Sequence, residues 1–198
     1  MTCSTLTSSK LLSAILATEI AMFYYAFGSW KAAHPGKGQF TGYRESGVLP
    51  VLSGILLILA IETFWMHQYL MKLSSLFAWI ILCLSIYSGI QLVAHLKALR
   101  SRTHSFQDKG LKLRYGLFAE VYIGFEQIQE VVFTAEKPQD KAVGKLALLA
   151  DMEPHNILLR LTEPVCLERP YGLRSKASTI CFQCDDPARF IDLLEKKM

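Results

Sequence analysis

The chain is poor in charge and carries none of the sequence motifs that mark common enzymes. Charged residues make up 19% of its 198 residues, whereas a soluble domain usually has about 25%. It contains no Walker loop, no HExxH and no GxSxG, and its five histidines lack the spacing of a metal site. These absences argue against a P-loop NTPase, a zincin-type peptidase and an α/β-hydrolase. We therefore predict no catalytic residue, no metal and no cofactor.

The scarce charges are divided unevenly along the chain. Residues 1–102 hold eight Lys or Arg and three Asp or Glu. Residues 103–198 hold thirteen Lys or Arg and fourteen Asp or Glu. The first half is therefore sparse in charge and net positive, and the second half is net −1 with ordinary charge density. This asymmetry excludes one uniform globular domain, and the apolar content of 52% excludes a disordered chain. The nearly neutral second half also argues against nucleic-acid binding.

Three long segments of the first half are almost free of charge. The segments 11–30 and 46–71 each contain one charged residue, Glu19 and Glu62, and the segment 73–96 contains none. About 20 helical residues cross a hydrocarbon core about 30 Å thick, so each segment is long enough to span a bilayer. Three buried helices of a soluble bundle are the alternative, which so short a chain could not bury on every side. We predict transmembrane helices at about 11–30, 48–69 and 75–97, in a membrane domain of residues 1–102.

The Lys and Arg residues between the predicted spans indicate their orientation. The side of the N-terminus and the 68–75 turn offers Lys10 and Lys72. The opposite side offers six cations: Lys31, Lys37, Arg44, Lys97, Arg100 and Arg102. The positive-inside rule therefore predicts an external N-terminus and a cytoplasmic second half. The alternative, a cleaved signal peptide over residues 1–35, is disfavoured because its apolar region would be too long and its n-region holds only Lys10.

The second half, residues 103–198, has the pattern of short strands followed by one helix. Glycines punctuate segments of alternating polarity, as in Ala119–Ile123, and indicate six or seven strands. Asp185 and Asp186 stand before Pro187, a combination typical of a helix start. The apolar face of this predicted last helix contains Phe190, Ile191 and Leu194.

Two stretches of the second half carry a family resemblance. Leu111–Phe133 (LKLRYGLFAEVYIGFEQIQEVVF) resembles the start of bacterial pleckstrin-homology-like (PH-like) domains, with a strand, an Arg-x-Gly-Leu turn and a second strand. Cys181–Lys197 (CFQCDDPARFIDLLEKK) resembles their closing strand, Asp-Asp-Pro turn and C-terminal helix. The resemblance implies a cytoplasmic PH-like antiparallel β-barrel capped by a C-terminal helix. The whole chain is similar to three-span proteins of the bacterial inner membrane that carry such a domain.

The resemblance implies a fold rather than a ligand. Function is therefore predicted from the absence of catalytic motifs and from the predicted membrane spans. We expect a non-enzymatic scaffold, anchor or assembly subunit that docks another membrane or cytoplasmic protein through its PH-like domain. Besides that protein and the lipid bilayer, a second copy of the chain is a candidate partner. The alternative is an oligomeric transporter or a small-molecule-handling membrane enzyme that uses Glu19, Glu62 and His67.

The polar residues of the predicted spans form a candidate intramembrane cluster. At 1.5 Å per helical residue, Glu19, Glu62 and Ser85 come to similar depths in the outer leaflet. Tyr87 lies two residues beyond Ser85, and His67 lies above the cluster. An ionised carboxylate in hydrocarbon is costly, so these groups should face one another or a partner. A packing network, a partner-helix site, a metal site and a proton path all stay open, although Glu62 and His67 lie about 140° apart around their helix.

Two smaller groups of residues complete the candidate sites. Lys109, Lys112 and Arg114 cluster near the first turn of the second half and are the candidate lipid-headgroup contacts, with solvated loop charges as the alternative. Cys181 and Cys184 form the only closely spaced cysteine pair. Residues three apart in a strand point to opposite faces, so we predict free thiols there rather than a zinc or redox pair.

Overall fold

A computed structural model of the chain describes residues 8–28, 36, 38–136, 143–149 and 153–198. Among the residues behind the orientation prediction, Lys31 and Lys37 lie outside these ranges. The last two residues of the predicted first span lie outside them as well.

Three long apolar helices fill the first half of the chain. They are α1 (Ser8–Phe23), α2 (Val48–Leu73) and α3 (Ser75–Ser101), and a π-helical turn, Tyr24–Gly28, extends α1. Their apolar stretches Leu11–Gly28, Val48–Leu73 and Ser75–Ser101 are each long and apolar enough to cross a membrane. The prediction of three candidate membrane helices is therefore confirmed.

The helices run alternately up and down. Ser74, in extended conformation, separates α2 from α3, and its N–H donates to the carbonyl of Leu70 to close α2. α1 runs parallel to α3, because Tyr87 meets Glu19 and Lys97 meets the carbonyl of Ala26 further along both helices. The start of α2 and the ends of α1 and α3 therefore lie at the same end of the helices.

A mixed sheet of eight strands adjoins that end. Its main path has the order β1-β2-β3-β4-β7-β8-β6, and β5 pairs with β7. All pairs are antiparallel except β6 with β8. The strands are β1 (Gln39–Phe40), β2 (His104–Phe106), β3 (Gly110–Tyr115), β4 (Ala119–Gly124), β5 (Ile128–Phe133), β6 (Val143–Lys145), β7 (Ile157–Glu168) and β8 (Arg174–Phe182).

The observed sheet differs from the predicted antiparallel β-barrel in two respects. The sheet is not closed, and β1 and β6 end its main path within the described part of the chain. In addition, β6 runs parallel to β8, with Val143 beside Thr179 and Lys145 beside Cys181. Alternating polarity indicates which face of a strand is buried, but it does not specify the neighbouring strand or its direction. The sequence pattern therefore indicated short strands in the second half without specifying all of their bounds or how the sheet ends.

A C-terminal helix closes the sheet, as predicted. The helix α4 (Pro187–Glu195) starts at Asp186, whose side chain accepts a hydrogen bond from the backbone N–H of Arg189. Phe190 and Leu194 are fully buried against the sheet. The Phe190 ring packs edge-on against Phe40 and Phe182, with centroids 5.2 and 5.4 Å apart. Burial of these rings stabilises the contact between helix and sheet.

The core of the sheet also contains residues from the first half of the chain. Phe40 comes from β1, Val48 and Leu52 from the start of α2, and Leu99 from the end of α3. Because the start of α2 is buried against the sheet, about 20 residues of α2 remain clear of it, and at 1.5 Å per residue that length is about 30 Å, which matches the hydrocarbon core of a bilayer. In α3 the contact with the sheet begins at Gln91, so residues 75–90, about 24 Å of helix, precede it.

Candidate functional site

The turn before β8 connects the sheet to the membrane helices. In this turn, Pro170–Gly172, Tyr171 has left-handed backbone angles, with φ 61° and ψ 22°. Its N–H donates to Thr18 Oγ1 of α1 at 3.1 Å. A non-glycine residue in this conformation costs about 1–3 kcal/mol and persists where its surroundings hold it. The contact with α1 provides such surroundings.

Glu19 is the centre of a polar cluster at this contact. Its Oε1 accepts hydrogen bonds from the hydroxyl of Tyr87 at 2.7 Å and from the hydroxyl of Tyr171 at 3.2 Å. Gln91 Nε2 in turn donates to the Tyr171 hydroxyl at 2.8 Å. Burial raises the pKa of Tyr171, and the adjacent Tyr87 and Glu19 raise it further. Tyr171 therefore stays protonated and acts as a donor to Glu19, so one carboxylate joins α1, α3 and the sheet.

The structure brings together only part of the predicted intramembrane cluster. Glu19 and Tyr87 are in contact, whereas Glu62 is exposed on α2 and Ser85 is half-buried on α3. His67 Nδ1 lies 3.3 Å from the carbonyl oxygen of Ala78, and its ring packs edge-on against Trp79. Across the described ranges, no group of three or more His, Cys, Asp or Glu side chains is placed to hold a metal ion.

Two members of the Glu19 cluster were missed from the sequence. Gln91 lies one helical turn after Tyr87, and a second polar residue on that face of an apolar helix was a usable signal. Tyr171 lies 152 residues from Glu19, and no local pattern indicates so distant a contact.

A cavity of about 530 Å³ lies beside this cluster, between α1 and the sheet. Ala21 and Tyr25 of α1 and its π-helical turn form one wall, and Gln39 of β1 contributes to the lining. Arg102, directly after α3, and Arg114 of β3 supply its positive charge. The cavity therefore has one wall from a membrane helix and a cationic wall from the sheet.

Glu120 of β4 holds the cations together. Arg102 Nη2 and Lys112 Nζ form ion pairs with it, and Arg114 Nε approaches it to 3.2 Å. Burial alone would raise the pKa of Glu120, but the hydrogen bond from Lys112 and the charges of Arg102 and Arg114 outweigh burial and lower it. Glu120 is therefore ionised at neutral pH, and three cations with one carboxylate leave a net charge of +2.

The three candidate lipid contacts divide between two places. Lys112 and Arg114 belong to the Glu120 cluster, because alternate residues of β3 point to the same face. Lys109 is exposed in the turn between β2 and β3, where its carbonyl accepts the N–H of Phe125. In the sequence, Arg102 indicates the orientation of the spans, and it stands just after a membrane helix, the position of a headgroup contact.

Further polar groups near the cavity are buried within the sheet. His104 Nδ1 accepts the N–H of Arg114 at 3.3 Å, so its Nε2 carries the proton toward the carbonyl of Gln183 at 3.1 Å. Burial lowers the pKa of His104 to about 4, and it is neutral at physiological pH. Glu153 accepts the Tyr115 hydroxyl and the N–H groups of Leu148 and Leu149. These groups are satisfied internally and support the sheet.

The four cysteines that the structure describes form no disulfide with one another. They are Cys83, Cys166, Cys181 and Cys184. Cys181 and Cys184 are buried, and burial raises the pKa of Cys184 to about 12, which makes it a poor thiolate.

Comparison with known proteins leaves the geometry as the basis for assigning function. No family model, no curated protein and no solved structure matches the chain. The resemblance to PH-like domains therefore stays a prediction. The two features that remain to interpret are the Glu19 cluster and the cationic cavity, both at the junction of helices and sheet.

Proposed function

We propose that the chain is a non-enzymatic integral membrane anchor that docks a protein partner through its sheet. The proposal places the spans in a bacterial inner membrane, with the N-terminus outside and the sheet in the cytoplasm. Arg44, Lys97, Arg100 and Arg102 at the sheet end of the helices support this orientation. The observation that carries the docking role is the open edge of β5.

Strand β5 has a partner on one side only within the described part of the chain. It pairs with β7 from Ile128 to Phe133, and no other described strand pairs with it. An unpaired edge offers backbone N–H and C=O groups to an added strand of another polypeptide. Phe133 ends β5 with 65% of its surface exposed and supplies an apolar contact for such a strand. We therefore assign the docked partner as an extended segment that adds to β5.

The attachment of the sheet to the helices supports an anchoring role. The Tyr171 turn bonds to Thr18 of α1 and to Gln91 of α3. The shared core adds Leu52 and Leu99 to this contact. A partner bound to the sheet is then held at the membrane in one orientation.

The transporter or membrane-enzyme proposal has weaker support from the same geometry. It requires Glu19, Glu62 and His67 to act together. Glu19 contacts the two tyrosines, whereas Glu62 is exposed and His67 contacts the α3 backbone. Their separation favours the anchor.

The docking proposal is tested by purifying the full chain in mild detergent and identifying co-purifying proteins by mass spectrometry. Phe133→Lys adds a charge beside the open edge and should abolish a stoichiometric partner. Phe133→Leu keeps the apolar contact and is the matched control, which should retain the partner. Equal association of both variants with that partner would contradict docking at β5, and a co-purifying metal or cofactor would favour the alternative.

A further inference from the structure

The turn between β7 and β8 contacts α3 inside the length of helix that crosses a bilayer. The exposed apolar side chains of α2 extend from Leu73 back to Val51, which at 1.5 Å per residue is about 33 Å. On α3, the contact with Tyr171 begins at Gln91, about 24 Å from Ser75. A hydrocarbon core about 30 Å thick that starts between α2 and α3 therefore extends about 6 Å beyond this contact.

The contact with α1 places the turn at a similar depth. Glu19 of α1 faces Tyr87, which lies about 18 Å from the start of α3. The hydroxyl of Tyr171 donates to Glu19 and accepts from Gln91. It therefore lies about 18–24 Å from that start and about 6–12 Å inside the hydrocarbon boundary on the sheet side. Tyrosine is enriched in this part of a bilayer, where hydrocarbon meets the headgroups.

The backbone donors of the turn have partners that suit an apolar environment. Pro170 has no N–H, and the N–H of Tyr171 donates to Thr18 Oγ1 at 3.1 Å. The N–H of Leu173 donates to the carbonyl of Pro170 at 3.3 Å. Irregular backbone is tolerated at membrane depth where protein groups satisfy its polar atoms. These hydrogen bonds therefore remove one cost of placing the turn in lipid.

Leu173 is the apolar side chain that this turn leaves uncovered. It has 63% of its surface exposed. By contrast, Leu117 in the turn between β3 and β4 packs against the buried cluster of Met22, Ala26 and Ala94. Transfer of apolar surface from water to hydrocarbon is favourable, so lipid contact at Leu173 would stabilise the attachment of the sheet to the membrane.

The nearest charges mark how far the hairpin of β7 and β8 inserts. Glu168 pairs with Arg174 across the two strands, and their side chains form an ion pair at 2.9 Å. The tip of the turn lies about two residues beyond this pair, or about 7 Å at strand spacing. This reach agrees with the depth of about 6 Å at Gln91. The ion pair then lies at the boundary, where the long arginine side chain extends toward water.

We propose that residues 170–173 insert into the leaflet on the sheet side of the membrane, with Leu173 in contact with lipid acyl chains. The lipid is assigned as the partner because the turn rests on two candidate spans at the depth of the hydrocarbon. The sheet thereby gains a non-helical membrane contact in addition to the three helices. The insertion requires that the helices span a bilayer, but it depends neither on their orientation nor on docking at β5.

Depth-dependent quenching of tryptophan fluorescence tests the insertion in the full chain. Trp30, Trp65 and Trp79 are replaced by phenylalanine, and Leu173→Trp supplies the single reporter. The protein is reconstituted into phosphatidylcholine vesicles with bromine on the acyl chains, either near the headgroup or near the terminal methyl. The Leu173→Trp variant should be quenched by both lipids, and more strongly by bromine near the headgroup.

Phe133→Trp in the same background is the matched control, because Phe133 on β5 is 65% exposed and Leu173 is 63% exposed. Neither lipid should quench it. Equal quenching of the two reporters would show that the whole sheet lies on the membrane, and no quenching of either would place the turn in water. A blue-shifted but unquenched Leu173→Trp variant would show that protein covers the residue. Each of these three results would overturn the insertion.

A second measurement keeps the native tryptophans. Leu173→Asp places a carboxylate at the inserted position, so hydrogen exchange in the 170–172 turn should accelerate several-fold in phosphatidylcholine nanodiscs. Phe133→Asp is the control and should leave exchange in that turn unchanged. Unchanged exchange in both variants would contradict the insertion. Neither result bears on docking at β5, which is tested through association with the co-purifying partner.

Discussion

At the scale of single residues, His104 links stability of the sheet to pH. Its Nδ1 accepts the N–H of Arg114, so a second proton there would place two donors against each other. Burial lowers the pKa of His104 to about 4 in the folded state, against about 6.5 for an unfolded histidine. Between these two values the unfolded chain binds more protons than the folded chain. Stability is therefore present above about pH 6.5 and is lost as pH falls toward about 4.

We expect the free energy of unfolding to fall by about 3 kcal/mol over that range on account of His104. Thermal unfolding of the detergent-solubilised chain at a series of pH values measures the change. His104→Gln should be less stable at neutral pH but should show a flatter profile between pH 4 and 6.5. An unchanged pH profile in this variant would show that other groups cause the loss.

A second residue-scale prediction concerns the hydroxyl of Tyr171. Tyr171→Phe removes the donor to Glu19 and the acceptor of Gln91 while it keeps the ring. Losing a hydrogen bond costs about 0.5–1.5 kcal/mol, so the sheet should detach more readily from α1. Faster hydrogen exchange in the 170–172 turn and in α1 would report it. Tyr122→Phe, at an exposed tyrosine on β4, is the matched control and should leave exchange there unchanged.

At the scale of elements, α4 is the closing layer of the sheet. Phe190→Ala removes a fully buried ring that contacts Phe40, Phe106 and Phe182, and should destabilise the sheet by about 3–5 kcal/mol. Chemical unfolding followed by circular dichroism measures this loss. Arg189→Ala, at the exposed neighbouring position on α4, is the control. It removes only the weak contact of the guanidinium with the Phe40 ring, so the free energy of unfolding should change by less than about 0.5 kcal/mol. Similar losses from both variants would show that α4 does not cover the core.

The same elements show which structural features can be predicted from sequence patterns. The three long helices and α4 were predictable, because apolar length and the Asp-Pro start are local signals. The strands were predictable as alternating segments, but the parallel pairing of β6 with β8 and the addition of β1 were not. Gln39–Phe40 is only two residues long, and its pairing with Ser105 and His104 depends on contacts distant in sequence. Helix geometry placed Glu19 near the depth of Ser85 and Tyr87, whereas the contact with Tyr171 required the fold of the whole sheet.

At the scale of the whole molecule, the shared core changes what an isolated second half can do. A fragment of residues 103–198 lacks Phe40, Val48, Leu52 and Leu99, all of which are buried in the intact chain. We expect it to form strands but to melt at a lower temperature than the sheet of the full chain, because the exposed core loses apolar contacts. Differential scanning calorimetry of both would measure the difference. An equal melting temperature would show that the fragment is energetically independent.

The orientation of the molecule is tested separately. The C-terminal residues follow α4 on the surface, with Met198 57% exposed, so a reporter fused after Met198 should not disturb the core. We expect a reporter that is active only in the cytoplasm to function there and a periplasmic reporter to remain inactive. Periplasmic activity would reverse the proposed orientation.

The contact between Tyr171 and Glu19 also sets an order on biosynthesis. The two residues are separated by 152 positions, and a ribosome adding about 5–20 residues per second needs about 8–30 s to travel between them. In the growing chain Glu19 can first accept a hydrogen bond from Tyr87, which is synthesised 68 residues later. Its second donor, Tyr171, is synthesised only after most of the strands of the sheet. Throughout that interval α1 holds a carboxylate with an incomplete set of donors. A nascent chain that stops before residue 171 would therefore expose to membrane quality control a helix whose Glu19 side chain lacks one of its hydrogen-bond donors.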